Sequence, residues 1–185
     1  MTRLAINHTI HCKDEKATAK AVQMLANAIL GFYASTPEKP QSLFMSLHGD
    51  LGAGKTTATR YLLQAMGYQG KVKSPTYSLC EEHILDLSKE TLHIFHFDLY
   101  RMQSPAEWVD AGLLEHFTQS DYPTLCIIEW PEKAEHTLPT MDLAITLIHP
   151  QETESELART VEIAAQTLKG ETVLQSLSAQ SSTNP

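Results

Sequence analysis

The chain has 185 residues, 42% of them hydrophobic and 19% charged, a balance that suits one globular domain and argues against a disordered chain. A net charge of −8 with four arginines, Arg3, Arg60, Arg101 and Arg159, argues against a protein that binds bulk nucleic acid unaided, because displacing counterions from phosphates takes several Lys or Arg side chains. No apolar run reaches the roughly 18 residues of a membrane span. Residues 1–13 have no signal-peptide core, and three cysteines without metal spacing (Cys12, Cys80, Cys126) suit a reducing cytoplasm.

In chain order, residues 4–11 predict a short strand. Asp14 is a natural N-cap for an amphipathic helix opened by Glu15 and Thr18, with Ala21, Leu25, Ala28 and Ile29 at helical spacing. The stretch from Thr36-Pro37 to Pro40 breaks that helix. Ser42 to Leu47 predicts a buried strand feeding a glycine-rich turn, and Lys55 to Met66 predicts a helix that Gly67 ends. Two apolar strands follow, Leu92 to Phe97 and Leu125 to Ile128. Between them Pro105 to Phe117 reads as a helix, with Ser104 as its cap and Pro105 at its first position. Asp142 to Ile148 and Thr160 to Ala165 read as late strands. From Lys169 the chain is rich in Ser, Gln and Thr, so residues 1–168 are expected to form the domain and 169–185 a flexible tail. Strands alternating with helices predict an α/β fold: a central, mostly parallel sheet with helices on both faces and antiparallel strands toward the C-terminus.

The segment from Gly49 to Thr57, GDLGAGKTT, matches the phosphate-binding pattern G-x-x-x-x-G-K-[ST] and lies where that pattern requires, after a strand and before a helix. Glycines at 49, 52 and 54, with Asp50, Leu51 and Ala53 between them, let the backbone curl until successive N–H groups face phosphate oxygens. The helix that starts near Lys55 adds the positive end of its dipole. Lys55 is placed to bridge the β- and γ-phosphates, the Thr56 hydroxyl to ligate Mg²⁺, and Thr57 to lie near the α-phosphate. These features predict a single P-loop NTPase domain. No N-K-x-D and no D-x-x-G occurs, which favours ATP over GTP. Few arginines weaken the reading as a small-molecule kinase, which needs them to hold a second phosphorylated substrate. A P-loop also needs a carboxylate at a nearby strand end, and two strands offer one, ending in Asp98 and in Glu129. Between them and the P-loop lies Ser74-Pro75-Thr76-Tyr77, either a plain turn or a loop whose Thr76 hydroxyl reaches Mg²⁺ and the γ-phosphate.

Together, GDLGAGKTT at 49–57, KSPTYSL at 73–79, HFDLYR at 96–101 and IEWPE at 128–132 resemble the bacterial TsaE family, also called YjeE, from about Asp14 to Pro139. The resemblance implies a compact P-loop ATPase that works with TsaD and TsaB in forming threonylcarbamoyladenosine in tRNA, meeting tRNA only through those partners. It further implies that Thr56 and Glu129 ligate Mg²⁺, that Asp98 belongs to the catalytic constellation on the metal side, and that Thr76 senses the γ-phosphate. Trp130 is implied to lie near the nucleotide, and the adenine to lie near Glu15 to Thr18 with Arg159 on the other side. Which of Asp98 and Glu129 positions the attacking water stays open.

Other residues read as structural. His93 and His96, and likewise His8 and His11, are three apart and point to opposite faces of a regular strand, so neither pair chelates one ion. Cys80, Cys126 and Trp108 read as core, while Arg101 suits an ion pair or a partner surface equally. Two rivals to the ATPase reading are a phosphotransferase with a small substrate and a nucleotide-gated binding module in which hydrolysis is incidental.

Overall fold

The computed structural model describes residues 6–35, 40–118, 121–149 and 155–182. Residues 36–39 of the expected helix break, the first two residues of the expected strand at 4–11, residues 150–154 between the two expected late strands and the last three residues lie outside that set.

Strand β1 (Asn7–Cys12) leads into helix α1 (Glu15–Ser35). The Asp14 carboxylate accepts the backbone N–H of Ala17 at 2.8 Å, as an N-cap does. Every third or fourth residue of α1 is apolar, and Ala21, Leu25, Ala28 and Ile29 are buried. Strand β2 (Ser42–His48) runs into the glycine turn, and α2 (Lys55–Met66) leaves it. Gly67 then closes α2 in the left-handed conformation, φ 107°, with its N–H and that of Tyr68 turned back to the carbonyls of Gln64 and Leu63. Strands β3 (Cys80–Asp86) and β4 (Thr91–Asp98) form a hairpin, and α3 (Pro105–Asp110), β5 (Thr124–Glu129), β6 (Leu143–Ile148), β7 (Arg159–Ala165) and α4 (Leu168–Ser182) complete the chain.

The seven strands make one sheet in the order β1-β7-β6-β2-β5-β4-β3. Its centre, β6-β2-β5-β4, is parallel, and the edges are antiparallel. Alternation along the strands divides the core in two. Leu43, Met45 and Leu47 of β2 with Leu125 and Ile127 of β5 face α1, α2 and α4, while Phe95, Phe97, Cys126 and Ile128 face α3 and the 3₁₀ turn Leu113–Phe117. Helices thus cover both faces, and the late strands β6 and β7 are antiparallel, as the alternating elements predict.

Three expectations change. The edge strand β3 is absent from the sequence reading: its solvent face carries Glu82, Ile84 and Asp86, and only His83 and Leu85 are buried. Charges of this kind protect an edge and hide the strand. The helix expected over Pro105 to Phe117 stops at Asp110, because Gly112 enters the left-handed region (φ 69°) and a separate 3₁₀ turn follows. The tail expected from Lys169 is instead α4. Gln175 and Ser178 are exposed, while Val173, Leu174 and Leu177 are fully buried against the core that includes α1. The buried Asp142 secures its start, accepting the Phe44 N–H at 2.8 Å and the Thr167 hydroxyl, while Lys169 donates to the Ser42 carbonyl at 2.7 Å.

Candidate active site

The carboxyl ends of β2, β4 and β5 lie side by side, and parallel strands place loops and ligand crevices at that edge. The glycine loop spans β2 and α2. Gly49 has φ 134°, and a Cβ there would stand 2.4 Å from the Leu147 carbonyl oxygen, so no larger residue fits without moving β6. Gly54, at φ 103°, turns the chain into α2, whose first interior bond runs from Ala58 N–H to the Gly54 carbonyl at 2.8 Å. The Lys55 ammonium folds over the loop, donating to the carbonyls of Gly49 and, at 2.9 Å, Asp50, and lies 3.6 Å from the centre of the Trp130 ring. Burial pulls this ammonium below the ordinary lysine value, and the carboxylates of Glu129, Glu132, Asp98 and Asp50 oppose that shift.

The register of β4 on β5 pairs Asp98 with Glu129, so both carboxylates leave the same end of the sheet. Glu129 is 2% exposed. Its Oε2 accepts the Thr56 hydroxyl at 2.9 Å, and its Oε1 accepts from His96 Nε2 at 2.8 Å. Asp98, also buried, accepts the Thr76 hydroxyl at 2.9 Å and the Ser74 hydroxyl on Oδ2, while Oδ1 accepts the Tyr100 N–H at 3.0 Å. The loop Ser74 to Tyr77 is therefore fastened to the end of β4 by two hydroxyls, and a plain turn would need neither. Trp130 follows Glu129 in the left-handed region, φ 60°, and this turns its ring against Lys55 and Tyr100. Lys55, Thr56, Thr76, Asp98, Glu129 and Trp130 line one cleft of 430 Å³.

A second cleft, of 240 Å³, lies on the other side of the glycine loop. Glu15, Thr18 and Tyr61 form one wall, Arg159 and Leu157 another, and Gly52, Ala53, Gly54 and Thr57 the floor. Arg159 is fixed by its Nε–H bond to the Ala53 carbonyl, 3.0 Å, and Glu15 by the Tyr61 hydroxyl. Glu15 and Arg159, distant in sequence, thus border one space. Among the described residues Arg101 pairs with no acid: its exposed guanidinium stacks 4.3 Å from the Tyr77 ring centre and donates to the Tyr77 hydroxyl at 3.1 Å.

Sequence reasoning missed the roles of Ser74, Tyr61 and His96. The first lies in the motif already singled out. Tyr61 gives no local signal, because its partner is 46 residues away. His96 had one: it stands two residues before Asp98 and so shares its face. His93, on the opposite face as alternation requires, bonds Glu82 at 2.7 Å and stacks on Tyr122.

Among the described residues no group of three or more His, Cys, Asp or Glu could hold a metal. The hydroxyl of Thr56 and the carboxylates of Glu129 and Asp98 are hard oxygen donors, the set that holds Mg²⁺ together with phosphate oxygens and water. The residues present fit that ion.

Residues 12–161 match the family model for the threonylcarbamoyl adenosine biosynthesis protein TsaE. The chain is 39% identical over 138 residues to the tRNA threonylcarbamoyladenosine biosynthesis protein TsaE of Haemophilus influenzae, covering 75% of this chain and 80% of that one. It is 32% identical over 152 residues to the protein of the same name from Bacillus subtilis, covering 82% of each. A crystal structure of Bacillus subtilis YdiB superposes with a TM-score of 0.66 over 97% of this chain and 99% of that one, at 22% identity, and shows the same fold.

Proposed function

Because this chain belongs to the TsaE family, we propose that it is a Mg²⁺-dependent ATPase acting in the formation of threonylcarbamoyladenosine in tRNA. The observation that carries this reading is the junction of two buried carboxylates with the P-loop and with the Ser74–Tyr77 loop, Thr56 to Glu129 at 2.9 Å and Thr76 to Asp98 at 2.9 Å. It acts in the cytoplasm with TsaD and TsaB and meets tRNA through them.

The backbone N–H groups of the loop and the start of α2 hold the phosphates. Lys55 exchanges the carbonyls of Gly49 and Asp50 for β- and γ-phosphate oxygens, and its charge stabilises the transferring phosphoryl group. Thr56 and Glu129 would hold Mg²⁺, with Asp98 beside them; the bound ion neutralises charge on the phosphates. Thr76 reads the γ-phosphate, since a hydroxyl shared with Asp98 must choose between the carboxylate and the nucleotide. The adenine end lies in the second cleft between Glu15 and Arg159. Among the described residues Arg101 is the one arginine lining the metal-side cleft, and it is held on Tyr77, so isolated turnover is slow. The test is phosphate release from ATP by the chain alone and with TsaD and TsaB, with and without Mg²⁺. Transfer of labelled phosphate to a small acceptor, rather than release to solution, would make the chain a kinase.

A further inference from the structure

The chemistry above gives no role to a pair of buried histidines on the sheet face that carries Asp98 and Glu129. His96 is fully buried, and among the described residues its one side-chain hydrogen bond is to Glu129 Oε1, 2.8 Å. A carboxylate only accepts, so Nε2 carries the proton and donates. Nδ1 is buried and has no partner. His83, on β3, packs beside it with ring centres 6.3 Å apart and its own Nε2 unpartnered, and Tyr68 closes the far side of His83 at 5.0 Å. Unpartnered ring nitrogens cost stability where Leu or Phe would add it, so packing alone does not account for His96.

We propose that His96 is a positioning residue for the ATPase reaction, holding Glu129 so that Oε2 faces Thr56 and the phosphate end of the P-loop. The inference rests on the nucleotide reading above. The carboxylate is held from two directions, by β4 through His96 and by α2 through Thr56, and only the second support belongs to the P-loop and its helix. Removing the first leaves Glu129 free to turn away from Thr56. Hydrogen-bonding partners behind a ligating carboxylate typically carry 10- to 100-fold in metal affinity or activity.

The experiment measures ATP affinity by calorimetry in EDTA and in Mg²⁺, together with turnover and thermal stability, for the wild type, His96→Leu, His96→Asn and His96→Gln. Expected are unchanged affinity in EDTA and a loss of about 10-fold or more in the Mg²⁺-dependent gain for His96→Leu and for His96→Asn, which is polar but too short to reach Glu129. His96→Gln, whose amide reaches the Nε2 position, recovers most of it. In the wild type, nitrogen NMR of labelled histidines is expected to show His96 protonated on Nε2. A wild-type chain that binds no ATP overturns the nucleotide reading and this proposal with it, whatever the NMR shows. Wild-type Mg²⁺-dependent binding that His96→Asn retains undiminished overturns this proposal alone, as does a His96 protonated on Nδ1.

Discussion

In the proposed function Lys55 is the cation that meets phosphate, and in the structure its ammonium is held by loop carbonyls and the Trp130 ring. Lys55→Ala is expected to weaken ATP binding by ~10²-fold or more, because charge-assisted contacts to phosphate are the strong ones; near-normal affinity by calorimetry would remove the site assignment. Thr76 and Asp98 separate from it. Thr76→Ala is expected to keep most of the nucleotide affinity, which the proposed reading assigns to the loop backbone, and to lose hydrolysis and partner stimulation. Asp98→Ala is expected to slow the chemical step by ~10²-fold. Unchanged stimulated turnover in Thr76→Ala would return Ser74 to Tyr77 to a structural role. Burial, with Glu82 and Glu81 nearby, pushes the Cys80 thiol up to about 12, and burial raises Cys12 and Cys126 as well. The thiolate is the reactive form and a raised pKa makes it scarcer, so at pH 8 the thiolate fraction at Cys80 is ~10⁻⁴. Alkylation at pH 8 is therefore expected to be slow in the folded chain and fast in denaturant; rapid labelling of the folded protein would contradict the raised thiol of half-buried Cys80 and the buried placement of Cys12 and Cys126.

Two elements depend on close backbone approach. The glycine loop passes under Leu147, where a Cβ on Gly49 would meet the carbonyl at 2.4 Å in a backbone conformation that other residues rarely adopt. Gly49→Ala is expected to cost about 1–3 kcal/mol of stability and to abolish nucleotide binding, read by thermal melting and calorimetry together. Helix α4 crosses the start of β6 at Gly170, where a Cβ would lie 2.0 Å from the Asp142 carbonyl. Beyond it Leu174 is fully buried, so Leu174→Ala is expected to cost about 2–5 kcal/mol, whereas a frayed tail would tolerate the change. A denaturant titration decides: a midpoint equal to the wild type would mean that α4 adds nothing to the core.

At the scale of the whole molecule, net charge governs the partners. At −8 the chain repels an RNA backbone. The isolated chain is expected to bind tRNA weakly or not at all at physiological salt, and to join it once TsaD and TsaB are added. Tight, salt-sensitive binding by the chain alone, in a filter or mobility assay, would count against partner-mediated recognition. Among the described residues no helix is long and apolar enough to cross a membrane.

The sequence by itself determined what local chemistry dictates. A strand, a glycine turn and a helix adjoining Lys55 and Thr56 specify a phosphate cradle within a few residues of one another, and helix caps at Asp14 and Gly67 act over one turn. It also determined which strands end in acids, because a carboxylate after an apolar run is visible in one dimension. Only the tertiary structure decided what those acids touch. The registers of β4 on β5 and β5 on β2 bring Asp98 and Glu129 together beside Thr56, a contact spanning 73 residues that no local pattern encodes. The same holds for Ser74 and Thr76 on Asp98, for Arg159 on Ala53, and for His96, which alternation removes from a metal pair with His93 but which becomes a support for Glu129 only when two strands align. Strand β3 and helix α4 escaped because their exposed faces dominate their composition. A partner supplies the reason for an edge strand or a covering helix to form, and the partner is chosen by the folded chain.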